Sequence, residues 1–107
     1  MIDYTRPIPC TKFINQSFTD QLAHIGSEVE EASIAYGDYV ADVYKGDGDQ
    51  QTKDKAHLAE ELTDIITAAT TALEMLGCDA EAREALQVMV NEKNERRGYW
   101  RDKDGRD

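Results

Sequence analysis

The stretch Leu58-Ala59-Glu60-Glu61-Leu62-Thr63-Asp64-Ile65-Ile66-Thr67-Ala68-Ala69-Thr70-Thr71-Ala72-Leu73-Glu74-Met75-Leu76-Gly77 decides the fold class. Leu58, Leu62, Ile65, Ala69, Leu73 and Leu76 recur at the spacing that places side chains on one face of an α-helix. Thr52 or Asp54 is available to cap the start. Gly77 stops the helix, because glycine readily takes the left-handed conformation that closes a C-terminus. The spacing predicts a helix over 52–76.

Working outward, Lys45-Gly46-Asp47-Gly48-Asp49-Gln50 reads as a turn-rich break. Its alternating aspartates suggest a calcium loop, but the later glycine and terminal glutamate of that motif are missing, so it reads as an ordinary solvent loop. Before it, Leu22, Ile25, Val29, Ala32, Tyr36 and Tyr39 form a second stripe, predicting a helix over 18–44 with Ser17 or Thr19 as cap. Gly37 marks the earliest point at which that helix would end. Residues 1–17 hold both prolines, Pro7 and Pro9, and read as an extended arm whose Phe13 and Ile14 pack on the body. Downstream, Asp79 caps a third helix over 79–97, with Ala82, Leu86 and Met89 inward and Gly98 at its end. Residues 101–107 have almost nothing to bury and read as a loose tail. No strand pattern competes, so the expectation is one all-α domain of three main helices.

A chain of 107 residues buries only roughly 60–70% of its unfolded surface. The apolar faces are therefore expected to be completed by a partner copy, in a four-helix-type arrangement across a twofold axis, giving a homodimer or homotetramer. The formal charge of −10 argues against a protein that grips nucleic acid, which needs concentrated Lys and Arg. It leaves phosphate substrates open, since divalent cations mediate between carboxylates and phosphate oxygens. No apolar run approaches the roughly 20 residues of a membrane span, and the N-terminus lacks a signal-peptide layout, so the expected location is cytoplasmic. Cys10 and Cys78 match neither a zinc spacing nor a disulfide framework and read as free thiols.

His24-x3-Glu28-x2-Glu31 on the first helix is echoed by His57-x3-Glu61-x2-Asp64 on the second. Residues three and four apart share a helical face, so each acidic pair aims at a common point, and antiparallel packing would make four carboxylates converge. Unneutralised, such a cluster repels itself and is costly to desolvate, whereas a hard divalent cation with oxygen ligands resolves the conflict. The competing reading is a solvated acidic face, since the chain carries 22 Asp and Glu. A ferritin-like di-iron bundle is disfavoured because neither Glu28 nor Glu61 has a histidine three positions on. The two histidines read as outer-shell or packing residues, since imidazole suits softer metals.

Taken together, Glu28-Val29-Glu30-Glu31, then Glu61-Leu62-Thr63-Asp64, then Asn91-Glu92-Lys93-Asn94-Glu95-Arg96-Arg97-Gly98 resemble the MazG-like all-α nucleoside triphosphate pyrophosphohydrolases, relatives of the dimeric dUTPases and dCTPases. The resemblance covers about Leu22 to Tyr99. It implies that Glu28, Glu31, Glu61 and Asp64 bind Mg²⁺, with Mn²⁺ as an alternative ion, and carry the catalysis. It also implies that Lys93, Asn94 and Arg97 hold the phosphate chain of a nucleoside triphosphate, which is split into the monophosphate and pyrophosphate. Glu28 and Glu31 are the first candidates for accepting a proton from the attacking water, with Glu60 behind them. Phe13, Tyr36, Tyr99 and Trp100 are available as a wall for the base. Lys93, Arg96 and Arg97 have a second reading as charges that favour the negative end of the helix dipole. The alternative to an enzyme is a non-catalytic acidic helical interaction protein of phage or mobile-element type, with its acids outward and metal-free.

Overall fold

A computed structural model describes residues 2–100, apart from the side chain of Phe13. The expected tail at 101–107 and the packing of Phe13 lie outside the described residues. The chain is all-α: a short 3-10 turn at Thr11–Phe13 precedes α1 (Phe18–Lys45), α2 (Gly48–Met75) and α3 (Ala80–Arg96). No strand occurs among the described residues, and no helix among them is long and apolar enough to cross a membrane. The chain divides into two compact units, one from Met1 to Leu76 and one from Gly77 onward.

In the first unit α1 and α2 form an antiparallel hairpin joined only by Gly46 and Asp47. The break expected over 45–50 is thus much shorter than the sequence suggested. Helix α1 runs through Gly37 and past the expected end at 44 to Lys45. Ser17 caps its start, accepting a hydrogen bond from the Asp20 amide, and Gly46 closes it at φ +72°, where a side chain would be strained. Helix α2 begins at Gly48 rather than at 52, because Asp47, and neither Thr52 nor Asp54, is the cap. Its Oδ1 accepts from the Gln50 amide at 3.1 Å. We expect Asp47→Ala to destabilise the hairpin by about 1 kcal/mol, the usual worth of an N-cap. Thermal denaturation followed by circular dichroism checks this, and an unchanged midpoint would show that the cap is dispensable.

The large apolar stripes do not fill the hairpin seam. Its buried residues are Gln21, Ala32 and Ala35 on α1 and Asp54, Ala68, Thr71 and Ala72 on α2. Leu22, Val29, Tyr36 and Leu62 are about half exposed. The seam follows a seven-residue repeat, with Gln21, Glu28, Ala35 and Asp42 on one helix and Asp54, Glu61 and Ala68 on the other. Alanine at the contact lets the helices approach closely, which leaves room only for small or tightly hydrogen-bonded groups. Gln21 belongs to the second kind: its Nε2 donates to the Ala68 carbonyl at 3.0 Å. The stripes flank the seam instead. Val29, Ala32, Ser33, Tyr36, Leu58, Leu62 and Ile65 line an open apolar groove along one rim.

The N-terminal arm is tied to α2, since the Cys10 amide donates to Thr71 Oγ1 at 2.9 Å and that hydroxyl donates to the Thr67 carbonyl at 3.0 Å. The expected extended arm therefore contains a helical turn and a fixed anchor. In the second unit, Asp79 caps α3 as predicted, accepting from the Ala82 amide at 2.9 Å, and Arg97 is the C-cap residue.

Candidate metal centre

Apart from the residues of the apolar groove, the hairpin gathers an acidic group. Glu28 and Glu31 lie one turn apart on α1, and the antiparallel register brings Glu61 of α2 beside them. One carboxylate oxygen from each lies within 4.8 Å of the other two. Glu28 and Glu61 are half-buried, and Glu31 is exposed. Asp64, the expected fourth acid, is exposed and falls outside this group. It lines an adjoining cleft of about 210 Å³ with Glu28, His24, Gln21, Cys10 and Thr67.

The histidine echo in the sequence becomes a matched geometry. His24 Nε2 lies 3.4 Å from Glu28 Oε1, and His57 Nε2 lies 3.7 Å from Glu61 Oε1. Each contact engages one carboxylate oxygen and leaves the other turned inward. Glu28 Oε2 and Glu61 Oε2 are both buried without a hydrogen-bond partner among the described residues. A buried carboxylate oxygen with no donor is costly, and a proton, a donor or a cation would each relieve it.

The electrostatics of Glu61 agree. Burial pushes its carboxyl above the ordinary value of 4.5, the charge on Glu31 adds to this, and Asp64 and Glu28 push the same way while His57 partly offsets them. Protonation answers that strain in acid. At neutral pH the donor set of carboxylate oxygens fits a hard divalent cation, while the flanking imidazoles act on the carboxylates from outside.

Lys93, Asn94 and Arg97 belong to the second unit, which is described by itself. Lys93 in the last turn of α3 and Arg97 at its C-cap stand one turn apart and are exposed, with Asn94 half-buried beside them. The Arg97 guanidinium lies 6.0 Å from the centre of the Tyr99 ring, within range of a cation–π contact. Of the aromatic residues considered for a base wall, Tyr36 lines the apolar groove and Trp100 is about half exposed. The calcium-loop alternative is replaced by a plainer role, because Asp47 is spent on capping α2.

Sequence reasoning missed Gln21, Thr71, Asp42 and Asp54. Gln21, Asp42 and Asp54 were detectable only through the seven-residue seam, which the bulkier neighbouring stripe concealed. Cys10 and Cys78 are free thiols. Compared with known proteins, the chain matches no family model, no curated protein and no solved structure.

Proposed function

We propose that this protein is a Mg²⁺-dependent nucleoside triphosphate pyrophosphohydrolase of the cytoplasm, acting as a homodimer or homotetramer. The observation that carries the reading is the convergence of Glu28, Glu31 and Glu61, two of which each keep a buried carboxylate oxygen without a donor among the described residues. The order of acidic helix, acidic helix and basic helix end, which resembles the MazG-like enzymes, supports it independently. The half-exposed apolar side chains beside the seam support association of copies through a hydrophobic face.

Glu28, Glu31 and Glu61 would hold the ion, with Asp64 close enough to add its charge. When bound, Mg²⁺ neutralises phosphate oxygens and makes a water more acidic. His24 and His57 fix the orientation of Glu28 and Glu61 by holding one oxygen of each. Glu28 and Glu31 are the candidates for taking the proton from a water attacking the α-phosphorus, and the solvent exposure of Glu31 favours it of the two. Water's oxygen bonds to that phosphorus, the bond to the bridging oxygen breaks, and pyrophosphate leaves. For the phosphate chain the resemblance offers Lys93, Asn94 and Arg97, two cations and a neutral donor of the second unit.

Pyrophosphate release from a panel of ordinary and damaged nucleoside triphosphates, with Mg²⁺ and with EDTA, tests the reading. The expected result is monophosphate and pyrophosphate in equal amounts, abolished by EDTA. A folded, Mg²⁺-supplied protein that releases neither from any member would sink the proposal and favour an acidic interaction module.

A further inference from the structure

A second acidic contact lies at the turn end of the hairpin, apart from the candidate metal centre: Asp54 is about two helical turns from Glu61 along α2. Asp54 is only 9% exposed, although it sits in the first two turns of its helix. Its Oδ1 accepts from Gln50 Nε2 at 2.9 Å, while its Oδ2 is buried with no donor among the described groups. The neighbour across the seam is Asp42, near the end of α1, whose side chain is 17% exposed. Its position is fixed by the backbone, since the Asp42 carbonyl accepts from the Asp47 amide at 3.2 Å and from Gln51 Nε2 at 3.3 Å. The Asp42 and Asp54 side chains lie within hydrogen-bonding reach of each other, close to where the helices are joined.

We propose that Asp42 and Asp54 form a one-proton clasp that fastens the turn end of the α1–α2 hairpin in mild acid and opens into a like-charge pair as the solution becomes neutral. With a proton on Asp42, its O–H donates to Asp54 and supplies the donor that Oδ2 lacks. Without that proton, two carboxylates face each other at a poorly solvated seam.

The surrounding charges fit this division of roles. From α1, Lys45 Nζ reaches Asp42 Oδ1 at 4.0 Å but is largely exposed, so it offsets little. From the turn, Asp47 adds negative charge near Asp42, and from α2 the Gln50 amide and His57 favour charge on Asp54. The hydrogen bond to Asp54, with burial behind it, raises the Asp42 carboxyl above 3.8. The hydrogen bonds from Asp42 and then Gln50 lower that of Asp54. A raised folded value on Asp42 means stability that is present in acid and lost as pH rises through that value. A lowered one on Asp54 means stability lost only as pH falls through its own. The clasp is thus strongest between the two, around the ordinary aspartate value of 3.8.

Thermal midpoints of the full chain from pH 4 to pH 8, in EDTA, test the clasp with Asp42→Asn. Asp38→Asn, at an exposed α1 acid, controls for the change in net charge. An amide at position 42 donates to Asp54 at every pH, so we expect Asp42→Asn to exceed Asp38→Asn by about 4 °C at pH 7.5, with the gap closing toward pH 4. A gap that is absent, or that does not vary with pH, would overturn the clasp. Carboxyl carbon NMR of the unsubstituted protein gives a second reading that needs no variant. Asp42 and Asp54 should each show both titration steps, and two independent single-step curves would also overturn it.

Discussion

Glu61→Gln is expected to cut metal-dependent pyrophosphate release to about a hundredth of wild type or less, while making the metal-free protein more stable. The first effect follows from removing one of three converging carboxylates. Even outer partners of metal ligands typically cost about 10- to 100-fold, and a ligand costs at least as much. The second follows from the state of Glu61 without an ion, half-buried and pushed toward its neutral form by burial and by Glu31, Asp64 and Glu28. Glutamine keeps the shape, removes the repelled charge, and brings an amide that donates toward the unpartnered oxygen of Glu28. Loss of function with gain of stability is the expected trade where like charges are gathered for a purpose. The measurement is a pair: initial rates with Mg²⁺, and the thermal midpoint in EDTA. An acid serving only as solvated surface predicts no change in either, so an unaltered midpoint in EDTA would count against the cluster even before any substrate is found.

The second large effect is the response to Mg²⁺ itself, and its sign depends on pH. The carboxyl of Glu61 titrates above its unfolded value of 4.5 in the folded chain. In EDTA, its contribution to stability is therefore complete below that value and is lost as pH rises through the raised one. Metal-free protein should melt at a lower temperature at pH 7.5 than at pH 5. Mg²⁺ reverses the trend, because it binds the ionised carboxylates and only the folded chain gathers them. At a free concentration about 100 times its dissociation constant, the ion should raise the midpoint at pH 7.5 by roughly 10 °C, with little effect at pH 4.5. Glu28→Gln should remove most of that rise. Equal midpoints with and without Mg²⁺ at pH 7.5 would mean that the carboxylates converge without a cation to hold. The clasp at Asp42 and Asp54 contributes a pH dependence of the same sign, so the Mg²⁺ effect is read as the difference at each pH.

The function and the fold place different demands on the seam. A packed two-helix interface would ordinarily exclude charge, yet the seven-residue repeat carries Glu28, Asp42, Asp54 and Glu61 beside its alanines. Polar residues at such positions weaken the interface and fix its register, because the partners must meet at one alignment. Gln21 illustrates this, since its bond to the Ala68 carbonyl sets how far α1 slides along α2.

The sequence by itself determined the all-α class, the three helices, the cap at Asp79, the stop at Gly77 and the two His-x3-acid pairs, and narrowed the first cap to Ser17 or Thr19. These depend on local periodicity and on side chains that reach backbone groups a few residues away, and local chemistry is written in order along the chain. Only the tertiary structure decided that Glu61 joins Glu28 and Glu31 while Asp64 stands aside, that the alanines and not the leucines form the seam, and that Asp47 shortens the expected break. Whether a residue three positions from its partner points into a seam or along its rim depends on the rotation of one helix against the other. That rotation is set by which face allows the closest approach, and small side chains win it without leaving an apolar signal. Asp42 and Asp54 show the same limit, since they stand on different helices, twelve positions apart, and meet only because the chain folds back at Gly46.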